Sequence, residues 1–542
     1  MNTSRKAAVI VAAAALAISM GVTLADAAPA APATAATQPG EPALKRGPQN
    51  IIDVFDRSLT GALGAAYMGG QWSAAPAAAV STDGKQALLA LQPGKQVETW
   101  LPGISTTDQS LRATIRLSQL PVGGDLQFYL FPRWRGGGNS MGARLVVRAD
   151  GTMYAEAVRL APGSLKVIGA RATVTGLMTP NQAWVFEVES AGTSSYSIKA
   201  RAWLQTQTLP GWQVQATDTG NTTFATADAV GMLALNTGTA PVGLGVTKYA
   251  GWPLVANVAS PYPAIPAGAR YVNPATTGVP KGTVLTVRYG NLWIDKDGTV
   301  IENLDLHGII HVRAKNVIIR NSVIRGEDNT IPSQCVIEAK DPSVVNLVVS
   351  HVEIDPEYPN VFSNAVGVCG NDFTLTGSNI HGTTDGVGAY RGRITVRDTW
   401  IHDLAWFERD PDQTNGSHSD AIQITGESDY VFERNYLSGD NPMTNSSLMI
   451  GSGFSRVGTV SVKDNFLDYG ASAVIIDPKD KPTLGPVVIT GNVIGSHHRN
   501  ADYNTKYFAS VNPGVNKQGV TLTYKDNKFA STGQEALVWF NK

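Results

Sequence analysis

Nine segments in the C-terminal half of the chain repeat one short pattern. They are VIENLDLHG, VIIRNSVIRG, LVVSHVEIDP, FTLTGSNIHG, ITVRDTWIHD, YVFERNYLSG, VSVKDNFLDY, VVITGNVIGS and LTYKDNKFAS. Each holds two alternating apolar residues, a polar pair and a further aliphatic or aromatic residue. They recur about every 28 residues, unevenly, and without helical periodicity. A unit this short cannot bury its own apolar side, so neighbouring units must stack. Uneven spacing places loops of variable length on the stacked coils. The pattern predicts a right-handed, single-stranded parallel β-helix over 271–542. A column of Ser322, Ser378, Thr399, Asn435, Asn465, Asn492 and Asn527 runs through it. Stacked amides and hydroxyls at one turn are expected to satisfy each other along the axis. Leu304 and Val352 interrupt the column near its start.

A second strand per coil aligns as GIIHVR, CVIEAK, NAVGVC, DGVGAY, DAIQIT, SLMIGS and SAVIID. These segments begin at Gly308, Cys335, Asn364, Asp385, Asp420, Ser447 and Ser472. In that register the third and fifth positions face the core and the second and fourth face out. Ala365, Gly367, Gly386, Gly388, Ala421 and Gln423 then form a small, flat outer surface, with Tyr390 facing out in sixth place. Cys335 opens one strand and Cys369 closes the next, on the order of 15 Å apart by strand rise. A disulfide needs Cα atoms within about 7 Å, so two unpaired thiols are expected.

Asp is a poor strand former and costly to bury, yet Asp385 and Asp420 open two successive strands. Adjacent coils stack about 4.8 Å apart, which makes the two neighbours on one face. Alternation alone would turn them inward. They sit at the bend leading into the strand, however, where an outward pair is expected. The long insertions GEDNTIPS, DPEYPNVFS and LAWFERDPDQTNGSHS all end beside first-position residues, the last beside Asp420, like the walls of a cleft. The competing reading is a solvated Asp-Gly turn ladder.

Glycoside hydrolysis needs two carboxyls, about 5 to 5.5 Å apart for retention and 6.5 to 9.5 Å for inversion. Asp385 and Asp420 suit the shorter spacing; Glu408, Asp410 and Asp412 offer the longer one. His418, two residues before Asp420, is the candidate general base. Tyr390, Gln423, Trp406, Glu408 and Arg391 are candidate substrate contacts. His497-His498 reads as a solvated loop. No zinc spacing and no phosphate loop is present, so no metal-ligand set is assigned; calcium between the carboxylates is the one cofactor considered.

The N-terminal half differs. From 50 to 252, alternating segments such as LRATIRLSQL, ARLVVRAD and WVFEVES are separated by Gly, Pro and Asp/Asn turns, which predicts an antiparallel β-sandwich. Trp72, Trp134, Trp203 and Trp212 are expected in its core rather than as sugar platforms. A Pro-rich joint over 253–270 follows. Before the sandwich, a basic start, an apolar run and Ala25-Asp26-Ala27 predict a signal peptide over 1–27. A Pro/Ala linker over 28–48 is expected to stay unfolded. The expected product is secreted and monomeric, with no membrane association after cleavage. Lys plus Arg (43) nearly balance Asp plus Glu (44), which gives no field to recruit nucleic acid.

The opening DVFDRSLTGALGAAYMGGQW and the later GWQVQATD resemble concanavalin-like jelly-roll modules of secreted carbohydrate-active proteins. The C-terminal half resembles the pectin-lyase-like β-helix superfamily, with a distant echo of the polygalacturonases. TTDG with Asp385 matches their first acidic motif, and HSDAIQ keeps Asp420, with Ser419 where a further Asp belongs. Ser446 stands in place of their histidine, and Ile475 and Asp477 replace an Arg and a Lys that bind substrate. The texture is closer to secreted actinobacterial β-helix proteins. The resemblance implies a polysaccharide-degrading hydrolase or lyase, and the missing residues argue against galacturonate hydrolysis itself. The alternative is a non-catalytic glycan-binding or adhesive β-helix protein.

Overall fold

The computed structural model describes residues 44–47, 49–135, 138–207, 209–219, 223–256, 272–273, 275–327, 334–359, 366–407, 410, 413–441, 443–478, 484–512 and 520–541. The expected signal peptide, most of the linker and 257–270 of the joint lie outside them. The described chain is all-β apart from two single 3-10 turns, Ala77–Ala79 and Ala501–Asn504. None of its helices is long and apolar enough to cross a membrane. It divides into two compact units, one centred on Asp53–Gln205 and Gly211–Tyr249, the other on Ala250–Lys542.

The first unit is an antiparallel sandwich of a ten-stranded and a seven-stranded sheet. Strict alternation builds it: Leu111, Ala113 and Ile115 are buried on one strand, Phe186 and Val188 on its neighbour Trp184–Ala191. Trp72, Trp134 and Trp203 are buried as expected from size. Trp212 is half-buried, with the Arg201 guanidinium 4.1 Å above its ring. The linker is not wholly unfolded. Leu44–Arg46 pairs antiparallel with Leu254–Ala256, because an open strand edge offers unpaired amides to any extended neighbour.

The second unit is the right-handed parallel β-helix. Three parallel sheets of ten, ten and nine strands share its coils. In one coil Asp385–Ala389 leads to Ile394–Arg397, then to Trp400–Ile401, and the loop after Ile401 returns to Asp420–Ile424. Inward residues of all three sheets form one continuous apolar core. The polar column forms as the sequence suggests. Asn435 Nδ2 donates to Asn465 Oδ1 at 3.0 Å, Asn465 to Asn492 at 3.0 Å, and Asn492 to Asn527 at 2.9 Å. All four are fully buried. The residue before each is left-handed: Arg434, Asp464, Gly491 and Asp526 have φ of 55°, 55°, 70° and 57°. That conformation turns the chain from one sheet into the next.

The register differs from expectation at two coils. Cys335 pairs with Val366 rather than Asn364, a slip of two residues, and Ser446 rather than Ser447 aligns with Asp420. The hydrophobic pattern alone admits either frame where both alternate positions are apolar. A second correction concerns direction. Second-position residues Val336, Ala421 and Ala473 belong to the core, as do third-position Ile337, Ile422 and Val474. A Cβ on Gly386 would lie 2.4 Å from the core side chain of Ile401. Two successive side chains entering the core mean that each strand kinks at its start. The first-position residue is thereby thrown outward.

The kink and the slip together overturn the expectation of free thiols. Cys335 and Cys369 form a disulfide with Cα atoms 5.9 Å apart. The slip removes two residues of the offset between them. An ideal straight strand would still hold them on the order of 10 Å apart, so the kink closes the remainder.

Candidate functional site

The column of first positions reads Cys335, Val366, Asp385, Asp420, Ser446 and Ser472. Its outer surface changes character along the helix. Cys335, Val366 and Cys369 form a small apolar cluster apart from the core, and Tyr390 packs against it. The Tyr390 ring lies over Gly388, where a Cβ would come within 2.5 Å of Tyr390 Cζ. Beyond that cluster stand the two acids.

Asp420 N donates to Asp385 Oδ1 at 2.8 Å. Asp420 in turn accepts from Asn445 Nδ2 at 3.1 and 3.3 Å, from Ser446 Oγ, and from the Gln423 side chain. Each carboxylate therefore leans one coil onward, Asp385 towards Asp420 and Asp420 towards Ser446. Asp420 is 0% exposed, whereas Asp385 keeps part of its surface open. Burial pushes Asp420 up to about 6, opposed by its hydrogen bonds from Ser446, Asn445 and Gln423. Burial, then the Asp420 charge, pushes Asp385 well above the usual carboxylate range. Burial and the Asp385 charge also push the Tyr390 hydroxyl up.

The insertion after Ile401 is anchored to both strand starts. Ala405 N donates to Thr383 O at 2.8 Å, and Ser419 Oγ to Ala405 O at 3.0 Å. Trp406 follows, half-buried, with its ring against Gly416. The hydroxyls of Thr383 and Thr384, immediately before Asp385, and Trp406 Nε1 are buried with no hydrogen-bond partner among the described residues.

Other sequence candidates are placed elsewhere. His418 is exposed, and its Nε2 lies 3.1 Å from Asn415 Oδ1 within its own loop. That contact turns the ring to its own loop, where it does not bond the acids. Arg391 is exposed and bonds Gly370 O through its backbone. Glu408 and Asp412 lie outside the described residues.

Sequence reasoning missed a second titratable cluster, on the sheet that contains Trp400–Ile401. His402 Nδ1 lies 2.8 Å from Asp403 Oδ2 and its Nε2 2.8 Å from Asn379 Oδ1, beneath the Trp400 ring at 3.5 Å. Burial holds His402 down at about 4 and raises Asp440 to about 6. His402, Asp403 and Asp440 each present a ligand atom, all within 4.8 Å of one another, and could hold a divalent cation. His498 is not solvated: it is buried, with Nδ1 2.8 Å from Tyr469 O. Its neighbour His497 bonds Asp468 at 2.7 Å. The signal available was the recurrence of His or Asp one residue beyond a buried aliphatic of that sheet, at His307, Asp355, His381, His402 and Asp468.

Fold and site together define a two-unit β protein with a buried acid pair on the outer face of a parallel β-helix. No protein-family model and no curated relative matches the chain. Among solved structures, it is similar to the Ca2+/Man3GlcNAc-bound exoplasmic/lumenal domain of VIP36. Identity there is 12% over 35% of this chain and 86% of that one, with TM-score 0.24. The carbohydrate binding module CBM66 from Bacillus subtilis gives 14% over 35% and 96%, with TM-score 0.24. A GH43 protein, BlXynB, from Bacillus licheniformis gives 12% over 38% and 39%, with TM-score 0.26.

Proposed function

We propose that this chain is a secreted, glycan-processing protein of the pectin-lyase-like kind, cleaving polysaccharide at Asp385 and Asp420. The sandwich is an accessory glycan-binding or positioning module. One observation carries the reading: two carboxyls on adjacent coils, both pushed up by burial, share an outer face beneath an anchored insertion. Because both lean the same way, their separation stays near one coil, about 4.8 Å. That favours a retaining pair over an inverting one. Asp420, whose ionised form is supported by three hydrogen bonds, is the carboxylate nucleophile, and Asp385, raised by burial and by the Asp420 charge, is the general acid. Calcium between the carboxylates is the remaining cofactor candidate.

The second reading is a glycan binder without turnover. The saturation of Asp420 by Asn445, Ser446 and Gln423, at 0% exposure, favours it. Reducing-end release and the ultraviolet absorbance of an unsaturated product, measured across a polysaccharide panel, separate hydrolase, lyase and binder. Loss of release in both Asp385→Asn and Asp420→Asn is expected. Wild-type binding with no product on any glycan would establish the second reading.

A further inference from the structure

Two connections bracket the strand that begins at Asp420, and both start in the His402 cluster. His402 and Asp403 lead into the insertion that ends at Asp420. Asp440 opens the next connection, which runs to Asn445, the residue that donates to Asp420. The two connections are bonded to each other at both ends. Leu404 N donates to Gly439 O at 2.9 Å, and Asn445 N to Ser419 O at 2.7 Å.

The side chains of the cluster converge as metal ligands do. His402 Nδ1 stands 2.8 Å from Asp403 Oδ2, and a ligand atom of Asp440 lies within 4.8 Å of theirs. Nitrogen and oxygen ligands sit about 2.1 Å from zinc, which sets neighbouring ligands roughly 3 to 3.5 Å apart. The cluster brackets that spacing. Its outer partners are in place as well. With Nε2–H donating to Asn379 Oδ1 at 2.8 Å, Nδ1 keeps a lone pair turned toward Asp403 and has no hydrogen to offer it. Ser438 Oγ donates to Asp440 Oδ1 at 2.6 Å. Such contacts fix the tautomer of a ligating histidine and the rotation of a ligating carboxylate. Among the described residues, neither Asp403 nor Asp440 pairs with a Lys or Arg. A lone pair and two carboxylates thus meet without a protein cation between them.

We propose that His402 Nδ1, Asp403 and Asp440 bind one divalent first-row transition ion of the zinc class, with water completing its shell. The ion clamps together the two connections that flank the Asp420 strand. An imidazole ligand and a low ligand count select against calcium and magnesium, which take shells of about six or more oxygens. The site is separate from any calcium between Asp385 and Asp420, and it stands whether or not that pair is catalytic.

The test uses the full, untagged chain, stripped with EDTA and dialysed, with Zn2+, Co2+ and Ca2+ as probes. Titration calorimetry should find one tight Zn2+ site for which Ca2+ does not compete. Co2+ bound there should absorb in the visible, and Zn2+ should displace it. Ser438→Ala, which removes no ligand, should weaken Zn2+ binding about ten- to a hundredfold, and Asp440→Asn should weaken it further. His497→Gln, at the exposed His497–Asp468 pair, should leave it unchanged. Melting in EDTA checks that each variant folds, and Zn2+ should raise the melting temperature of wild type but not of Asp440→Asn. Hydrogen exchange should slow on Zn2+ addition at Leu404, Ala405 and Asn445. No Zn2+ binding by folded wild type overturns the proposal, because Nδ1 then carries a proton and its contact with Asp403 is an ordinary hydrogen bond. Binding that both Ser438→Ala and Asp440→Asn leave intact, or that His497→Gln abolishes, overturns it by placing the ion elsewhere. Zn2+ bound at these residues with exchange at Leu404 and Asn445 unchanged overturns the clamp.

Discussion

The backbone N–H of Asp420 donates to Oδ1 of Asp385 at 2.8 Å across adjacent coils. One coil's carboxyl is thus held against the strand start of the next, while burial raises both acids. A carboxyl raised in the folded state stabilises most below its unfolded value, about 3.9 for Asp. That contribution is lost as pH rises through the folded value. Asp420 loses its share by about pH 6, and Asp385 continues to lose above it. Asp385→Asn keeps the acceptor oxygen and removes the titration. Its melting temperature relative to wild type should therefore climb from pH 5 to pH 8, and thermal melts across that range check it. A difference that shrinks with pH would show that the acid is not raised.

If the pair is catalytic, turnover should rise with pH through about 6 as Asp420 ionises, then fall where Asp385 loses its proton. A pH–rate profile on whichever polysaccharide is cleaved reads both limbs. A flat profile from pH 5 to pH 8 would remove Asp420 from the nucleophile role.

Asn465 accepts from both Asn435 N and Asn435 Nδ2 and donates to Phe432 O and Asn492. Asn465→Ala strands several buried polar groups at once. A loss of about 2–4 kcal/mol is expected by chemical denaturation, since each orphaned buried group costs about 1–3 kcal/mol. A loss under about 0.5 kcal/mol would mean that the ladder is incidental to stability.

Ellman titration of the unfolded, unreduced protein should find no free thiol, and two after reduction. The bridge closes a sequence separation of 34 residues, so Cys335→Ala with Cys369→Ala should cost about 3–4 kcal/mol on the loop-entropy model. Two thiols before reduction would restore the unslipped register.

The kink at the strand starts is tested by two glycines separated by one residue. Gly386→Ala would set a methyl 2.4 Å from Ile401 and 2.5 Å from Ala421 O, so overpacking of about 1–3 kcal/mol is expected. Gly388→Ala meets the outer ring of Tyr390 instead, which can swing away, and should cost less while disturbing the site. Equal costs for the two would place both glycines on one side of the strand.

Much of this was legible in the chain. The Asn, Ser and Thr column announces the coil because a polar side chain buried at one turn needs a hydrogen-bond partner on the next. Asp385 and Asp420 stood out because a carboxylate at a strand start needs a reason. His418 was chosen by nearness in sequence, and a side chain two residues away on a bent loop can point anywhere. The His402 cluster escaped because Asn379 and Asp440 come from the neighbouring coils and meet His402 and Asp403 only through stacking.

What the sequence determined by itself was the repeat: the apolar alternation, the polar turn and the variable loop length, all set within one coil and read by local physics. Tertiary structure decided the relations between coils. Whether Cys335 lies beside Asn364 or Val366 depends on how one coil slides on the next, and alternating apolar residues fit either frame. Whether Gly386 faces inward shows only against Ile401, on another sheet, whose side chain lies where a Cβ on Gly386 would go. Local pattern carries the energy of one strand, but register and burial are energies of contact between strands, and these exist only once the coils are stacked.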